Sequence, residues 1–231
     1  MATVVFDLDG TLADTSGDLI AAANTVFRAG GHGDVLDPVG DALTAFHGAR
    51  AMLRLGYERL GIGSGQGIEA LVMAGYDPLL DAYGAAIDTH TRLYPGAMAA
   101  VEALSEAGYR VAICTNKTEA LAETLLTRLG IRAAFAGLIG ADTLPVRKPD
   151  PAPLHAAVAR AGGTRGRAVL IGDTVTDRDT ARAAGVPCVL VGFGPSGPAI
   201  TALDPDAVLD HYDDLPDLIA RLLPQEDRGA G

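Results

Sequence analysis

Six short runs rich in β-branched residues, separated by helical patterns, constrain what this chain can fold into. They are TVVFDLD (3–9), RVAICTN (110–116), GLIGAD (137–142), AVLIGD (168–173), CVLVGFG (188–194) and AVLDHY (207–212). Most are apolar without alternation, as strands covered on both faces are. Between them, KTEALAETLLTRLG carries Ala122, Leu126 and Leu129 at helical spacing and stops at Gly130. PAPLHAAVARAGG opens on prolines and closes on Gly162 and Gly163, and TDRDTARAAG closes on Gly185. Strand and helix in repeated alternation predict an α/β fold with a Rossmann-like, three-layer parallel sheet.

One interval breaks the rhythm. From Thr15 to about Thr89 the patterns are helical and no strand is evident: SGDLIAAANTVFRAGG, GDALTAFHGARAMLRLGYERLG and DPLLDAYGAAIDTHTRLY predict three or more helices. This stretch is far too long for a plain crossover. It reads as an inserted helical domain over 15–89, with the core formed by 1–14 and 90–231 and its next helix opened by Tyr94-Pro95-Gly96. Linkers near 14–16 and 88–95 give such an insert a hinge. Gly-rich GIGSGQG (61–67) follows a helical pattern and not a strand, so it is expected to be a loop of the insert and not a dinucleotide fingerprint. GFGPSG (192–197) is expected to be a loop near the cleft. The C-terminal PQEDRGAG is expected to fray.

Composition narrows the partners. A formal charge of -11 argues against nucleic acid and anionic membranes. With 5% aromatic residues and no Trp, large stacking platforms are not expected. No run is apolar for long enough to span a bilayer, and the N-terminus has no secretory pattern. A cytoplasmic protein is the expectation, as monomer or homodimer. Cys114 and Cys188 lie in strand-like runs and are expected to be small buried hydrophobes.

Ligands of such sheets bind beyond the carboxyl ends of the strands. There the first strand offers Asp7 and Asp9, the second Thr115, Asn116 and Lys117, the fourth Asp173 with Asp177 four residues on. The loop after the third offers Arg147 and Lys148. Acids, a hydroxyl, an amide and a lysine converge on one edge from separate segments.

This set resembles the four motifs of the haloacid dehalogenase superfamily. DLDGT at 7–11 is similar to its first motif, Thr115 to its second, Lys148 in KPDP to its third, and Gly172-Asp173 with Asp177 to its GDxxxD fourth. The insert stands where the family carries a helical cap. The resemblance implies a phosphatase acting on a small phosphorylated metabolite with Mg²⁺ as cofactor. Asp7 is then the nucleophile and Asp9 the general acid and base. Asp7, Asp173 and the carbonyl of Asp9 ligate the metal, with Asp177 behind them. Lys148 neutralises Asp7 and a phosphoryl oxygen, while Thr115 and the N–H of Asn116 bind other oxygens.

Absences sort the members. Asp9 is present, unlike in the dehalogenases. The chain's two lysines are Lys117 and Lys148, so the insert lacks the Schiff-base lysine of phosphonoacetaldehyde hydrolases. SGDLIAAAN (16–24) lacks the histidine of β-phosphoglucomutases. DLDGTLADT with YPG, TNK and RKPDP is similar to the phosphoglycolate phosphatases. Phosphatases of sugar phosphates, nucleotides or pyrophosphate share nearly the same motifs, and a phosphomutase is a further alternative. A two-carbon substrate carries a carboxylate, for which Arg50, with His47 beside it in FHGARAML, is the candidate. Arg54 and Arg59 read as solvated helix charges.

Overall fold

The computed structural model describes residues 1–63 and 65–225. Ser64 of the Gly-rich run and the C-terminal residues beyond 225, with their expected fraying, lie outside the described residues. The chain divides into two compact units, one formed by Met1–Leu12 with the chain from Leu93 on, the other by Ala13–Arg92.

The first unit is built on a six-stranded sheet. β1 (Thr3–Phe6), β4 (Arg110–Cys114), β5 (Gly137–Ile139), β6 (Ala168–Gly172), β7 (Cys188–Val191) and β8 (Ala207–Leu209) pair in the order β5-β4-β1-β6-β7-β8. Every pairing is parallel; Thr3 of β1 stands opposite Arg110 of β4 and Ala168 of β6. All six runs read as strands therefore are strands, a residue or more shorter than the apolar stretches. Their last residues bend away from the ladder at the edge where chemistry is expected.

Helices α5 (Ala97–Glu106), α6 (Glu119–Arg128), α7 (Ala152–Arg160), α8 (Val175–Ala184) and α9 (Leu215–Leu222) connect and follow the strands. On one face α7 and α8 bury Leu154, Ala157, Val158 and Ala181 against Val5, Ala112, Leu170 and Leu190. α5 and α9 pack together on the other face, burying Leu104 and Ile219 completely. β1 is the most enclosed strand, with Val4, Val5 and Phe6 all at 0% exposure, so it forms a rigid base for whatever follows Phe6. Covering a central strand in this way is what removes alternation from its sequence.

The second unit holds α1 (Ser16–Ala29), α2 (Ala42–Ala45), α3 (Ala49–Leu60) and α4 (Gln66–Ala85). Short β2 (Ala13–Asp14) pairs with β3 (Arg92–Leu93) where the chain enters and leaves it. Its core sets Phe27 edge-on to Tyr57 at 5.2 Å, with Met52, Leu53, Val72 and Leu79 buried around them. Asp18, in the first turn of α1, is buried and ties down the returning segment. It accepts the N–H groups of His90 and Thr91, each at 2.8 Å, and the Thr91 hydroxyl at 2.7 Å.

Two details differ from the sequence reading. α4 begins at Gln66, well before the helical pattern DPLLDAYGAAIDTHTRLY, and Pro78 lies inside it. Pro78 is solvent-exposed, as is Ala74, whose carbonyl loses its donor, so water can replace the missing bond. Arg59 is exposed on α3, as expected, but it is also paired. Its guanidinium forks onto both oxygens of buried Asp41, each at 2.8 Å, and this hydrogen-bonded pair holds the Asp41 carboxyl below its ordinary range. Arg54 grips both oxygens of Glu69 at the surface. Among the described residues no helix is long and apolar enough to cross a membrane.

Candidate active site

The site starts where β1 stops. Asp7 still donates its N–H to the carbonyl of Ile171 on β6, at 2.8 Å, so its backbone is held by the ladder. The chain then turns, and Gly10 takes φ +78°, a value that favours glycine. Thr11 ends the turn, donating its hydroxyl to Asp173 Oδ1 at 3.1 Å while its carbonyl accepts the buried Tyr212 hydroxyl at 2.8 Å. The DLDGT loop is thus bound to the end of β6 and to the segment before α9.

Asp7, Asp173 and Asp177 come together, each buried and each with a carboxylate oxygen within 4.8 Å of the others'. Lys148 inserts among them, its Nζ 2.6 Å from Asp177 Oδ1 and 3.1 Å from Asp7 Oδ2. Asp177 is fully engaged. Its Oδ2 accepts the Thr174 hydroxyl at 2.7 Å and the N–H groups of Thr174 and Asp173 at 3.1 and 3.3 Å. Asp173 is not: its Oδ2 is buried with no hydrogen-bond partner.

Three carboxylates against one ammonium leave two excess negative charges in a buried cluster, and the ionisation of the group responds. Burial pushes the Asp7 carboxyl from 3.8 up to about 6; Lys148 opposes the rise, and Asp177 and Asp9 add to it. Burial, then Asp177 and Asp7, push Asp173 well above the ordinary carboxylate range. For Lys148, burial favours the neutral amine, but Asp177 and Asp7 outweigh it and hold the pKa above the ordinary lysine value. Leaving a buried acceptor orphaned costs about 1–3 kcal/mol, more when it is charged. A cation ligated through hard oxygens would satisfy Asp173 Oδ2 and cancel the excess charge together. The residues fit a divalent metal.

The second strand end frames the other side. Thr115 is buried and donates its N–H to Ile139, while its hydroxyl accepts the N–H of Lys117 at 3.2 Å. Asn116 donates its side-chain amide to the carbonyl of Lys148 at 3.1 Å, which links the second motif to the third. The structure therefore brings Asp7, Asp173, Asp177 and Lys148 into direct contact, with Asp9, Thr115 and Asn116 at the ends of the neighbouring strands β1 and β4. Arg50 and His47 lie in the second unit, both exposed. Arg50 rests its guanidinium 4.4 Å from the centre of the Tyr76 ring, and His47 occupies the turn between α2 and α3.

The haloacid dehalogenase-like hydrolase pattern matches residues 1–185. The chain belongs to the haloacid dehalogenase-like hydrolase family. It is 39% identical over 216 residues to a phosphoglycolate phosphatase of Mesorhizobium japonicum, covering 92% of each chain. To a phosphoglycolate phosphatase of Caulobacter vibrioides it is 38% identical over 226 residues, covering 96% of this chain and 92% of the relative. A crystal structure described as a predicted phosphoglycolate phosphatase from Haemophilus somnus shares the fold, with a TM-score of 0.81 at 24% identity, over 94% of this chain and 97% of that one. The hydrolase is therefore an enzyme similar to phosphoglycolate phosphatases, with an α/β core and the family's helical insertion.

What the sequence does not show is how these residues of the hydrolase meet. Lys117, offered at the end of β4, sets its Nζ 2.8 Å from Asp9 Oδ1. Each aspartate of DLD thus has a lysine, in a chain with only two; that scarcity was the available signal. Gly172 permits the fourth motif to close, since a Cβ there would stand 2.3 Å from Asp177 Cγ. The 192–197 loop does border the site, as expected. A Cβ on Gly194 would come within 2.9 Å of the Gly10 carbonyl and 3.4 Å of Asp173 Cβ. Phe193 packs between Tyr94 and Tyr212, with ring centres 5.2 and 5.1 Å away, and so braces the residue that holds Thr11.

Proposed function

We propose that this hydrolase cleaves a small phosphate monoester, 2-phosphoglycolate, to glycolate and phosphate through an aspartyl-phosphate. The observation that carries the reading is the buried cluster of Asp7, Asp173 and Asp177 around one lysine, with an orphaned carboxylate oxygen on Asp173. A phosphate ester is an anion, and an anionic nucleophile reaches it only where positive charge is provided. Mg²⁺, when bound, supplies that charge; Asp7, Asp173 and the Asp9 carbonyl would hold it, with Asp177 behind.

The remaining work falls to the chain. An Asp7 oxygen attacks phosphorus, the ester P–O bond breaks, and Asp9 protonates the departing alkoxide. Asp9 then takes a proton from water as that water attacks phosphorus, and the bond to Asp7 breaks to release phosphate. Lys148 keeps Asp7 ionised and in place. Thr115 and the N–H of Asn116 receive equatorial phosphoryl oxygens. The substrate assignment is supported by the names of the two relatives described above, each matched over more than nine-tenths of this chain. Arg50, steadied on Tyr76 and helped by His47, is the proposed partner of the substrate's carboxylate.

Phosphate release from a panel of esters, with Mg²⁺ or chelator, tests this reading. The expected result is release that depends on Mg²⁺, is abolished by Asp7→Asn, and has its highest kcat/KM on 2-phosphoglycolate. Full activity in chelator or in Asp7→Asn overturns the mechanism. A higher kcat/KM on another ester overturns the substrate. Arg50→Ala is expected to reduce turnover of 2-phosphoglycolate much more than that of p-nitrophenyl phosphate, which has no carboxylate; equal losses remove Arg50 from recognition.

A further inference from the structure

Asp9 is the carboxylate of the site most open to an incoming ester. Its side chain is 25% exposed, against 13% for that of Asp7, while Asp173 and Asp177 are buried. Its partner is not a surface cation. Lys117 is 9% exposed at its side chain and sets Nζ 2.8 Å from Asp9 Oδ1. Enclosing a lysine and fixing its long stem costs desolvation and rotamer freedom. The pair thus differs from the solvated ion pairs of helix surfaces, which are weak.

The backbones on both sides of the pair are fixed. In the loop that carries Asp9, the Leu12 N–H donates to the Leu8 carbonyl at 3.0 Å and Gly10 takes its positive φ. Lys117 donates its N–H to the Thr115 hydroxyl at 3.2 Å, and its carbonyl accepts the Ala141 N–H at 2.9 Å. A Cβ on Gly140 would stand 2.9 Å from that carbonyl oxygen and 2.3 Å from the Glu119 nitrogen. The glycine therefore lets the segments after β4 and β5 meet. Glu119 adds a second tie, donating its N–H to Asp142 Oδ1 at 2.7 Å.

The residue type matters as much as the position. Where arginine meets a carboxylate in this chain, its fork takes both oxygens, as Arg59 does on Asp41 and Arg54 on Glu69. At Asp9 the cation is instead an ammonium, a point charge placed on Oδ1. We propose, on the phosphatase reading, that Lys117 is a positioning residue for Asp9, holding Oδ1 so that Oδ2 faces the ester and carries the proton. The Oδ2–H bond breaks as the proton passes to the ester oxygen, whose bond to phosphorus is breaking. Oδ2 regains a proton from the water that attacks the aspartyl-phosphate. Lys117 donates to Oδ1 in both states, so the carboxyl keeps its orientation through the cycle.

The test compares kcat/KM, which covers the steps up to release of the alcohol, on two esters without a carboxylate. Ethyl phosphate releases an alkoxide that needs a proton; p-nitrophenyl phosphate releases a phenolate that does not. Lys117→Met should lower kcat/KM for ethyl phosphate on the order of tenfold to a hundredfold, and for p-nitrophenyl phosphate by less than about threefold. Lys117→Arg keeps the charge but brings a fork that claims both oxygens. It should show the same split, and it provides the second variant if Lys117→Met unfolds. In the Asp9→Asn background, Lys117→Met should cause no further loss on ethyl phosphate. The chain has two lysines, so its side-chain amines give two Nζ resonances. Asp9→Asn should move that of Lys117 more than that of Lys148. Equal losses on the two esters, full activity of Lys117→Arg, additive losses with Asp9→Asn, or an unmoved Lys117 resonance overturns the proposal. So does a loss on 2-phosphoglycolate far above that on ethyl phosphate, which makes Lys117 a contact of the substrate's carboxylate. A wild type that turns over no ester overturns the phosphatase reading and this proposal with it. Any of the other outcomes, with an active wild type, overturns this proposal alone.

Discussion

Replacing Asp7 by Asn should make the metal-free protein more stable at neutral pH while abolishing turnover. The Asp7 carboxyl is pushed from 3.8 to about 6, first by burial and then by Asp177 and Asp9, against the pull of Lys148. A carboxyl raised in the folded state favours folding below pH 3.8, and that contribution is lost as pH rises through about 6. At about 1.36 kcal/mol per pKa unit, the ionised side chain costs about 3 kcal/mol above that range, of which about half is lost between about pH 5 and about pH 8. Asparagine has no such dependence, and Lys148 keeps Asp177 as its partner at 2.6 Å. Urea unfolding of both proteins in chelator, across this pH range, measures the difference directly. It should widen by about 1–2 kcal/mol in favour of Asp7→Asn on going from about pH 5 to about pH 8. Added Mg²⁺ should then stabilise the wild type more than the variant at the higher pH. Parallel stability curves for the two proteins refute the idea that Asp7 is held in a strained, charge-rich pocket.

Other substitutions probe the supports. Gly172→Ala places a methyl group 2.3 Å from Asp177 Cγ, so Asp177 and Lys148 must shift; kcat should fall on the order of a hundredfold while circular dichroism shows the fold kept. Gly56→Ala puts a Cβ 2.1 Å from the Phe27 ring, and overpacking should exceed the gain in helix propensity, lowering unfolding free energy by about 1–3 kcal/mol. Asp18→Asn leaves one acceptor oxygen for three donors and presents an amide to the rest; denaturant unfolding should show a loss of about 2–3 kcal/mol. Cys114 is fully buried, and burial pushes its thiol up to about 12, so thiol reagents should label it only in denaturant.

The strands were legible because each is short, apolar and bounded by turn residues, and burial on both faces leaves no other pattern. The motif residues were legible because chemistry restricts their type: acids directly behind a buried run have few structural uses. The pattern DPLLDAYGAAIDTHTRLY showed only part of α4, since Pro78 interrupts the helical signal and nothing local to it reveals the helix running from Gln66. The pairing of exposed Arg59 was illegible for a related reason. Its partner Asp41 lies eighteen residues back, and only the packing of α3 against the segment before α2 buries that carboxylate.

The sequence by itself determined a parallel sheet, a helical insertion after the first strand, and a set of acids and a lysine at the strand ends. These follow from local periodicity and from the few residue types that can serve such chemistry. Tertiary structure alone decided the ionic state of that set. Asp7 and Asp173 are raised first by burial and then by the neighbouring carboxylates, which two distant segments bring together around one lysine. It also decided that Lys117 meets Asp9. Charge, desolvation and hydrogen-bond satisfaction depend on distance in space, and neighbours such as Asp7 and Asp173 are far apart along the chain.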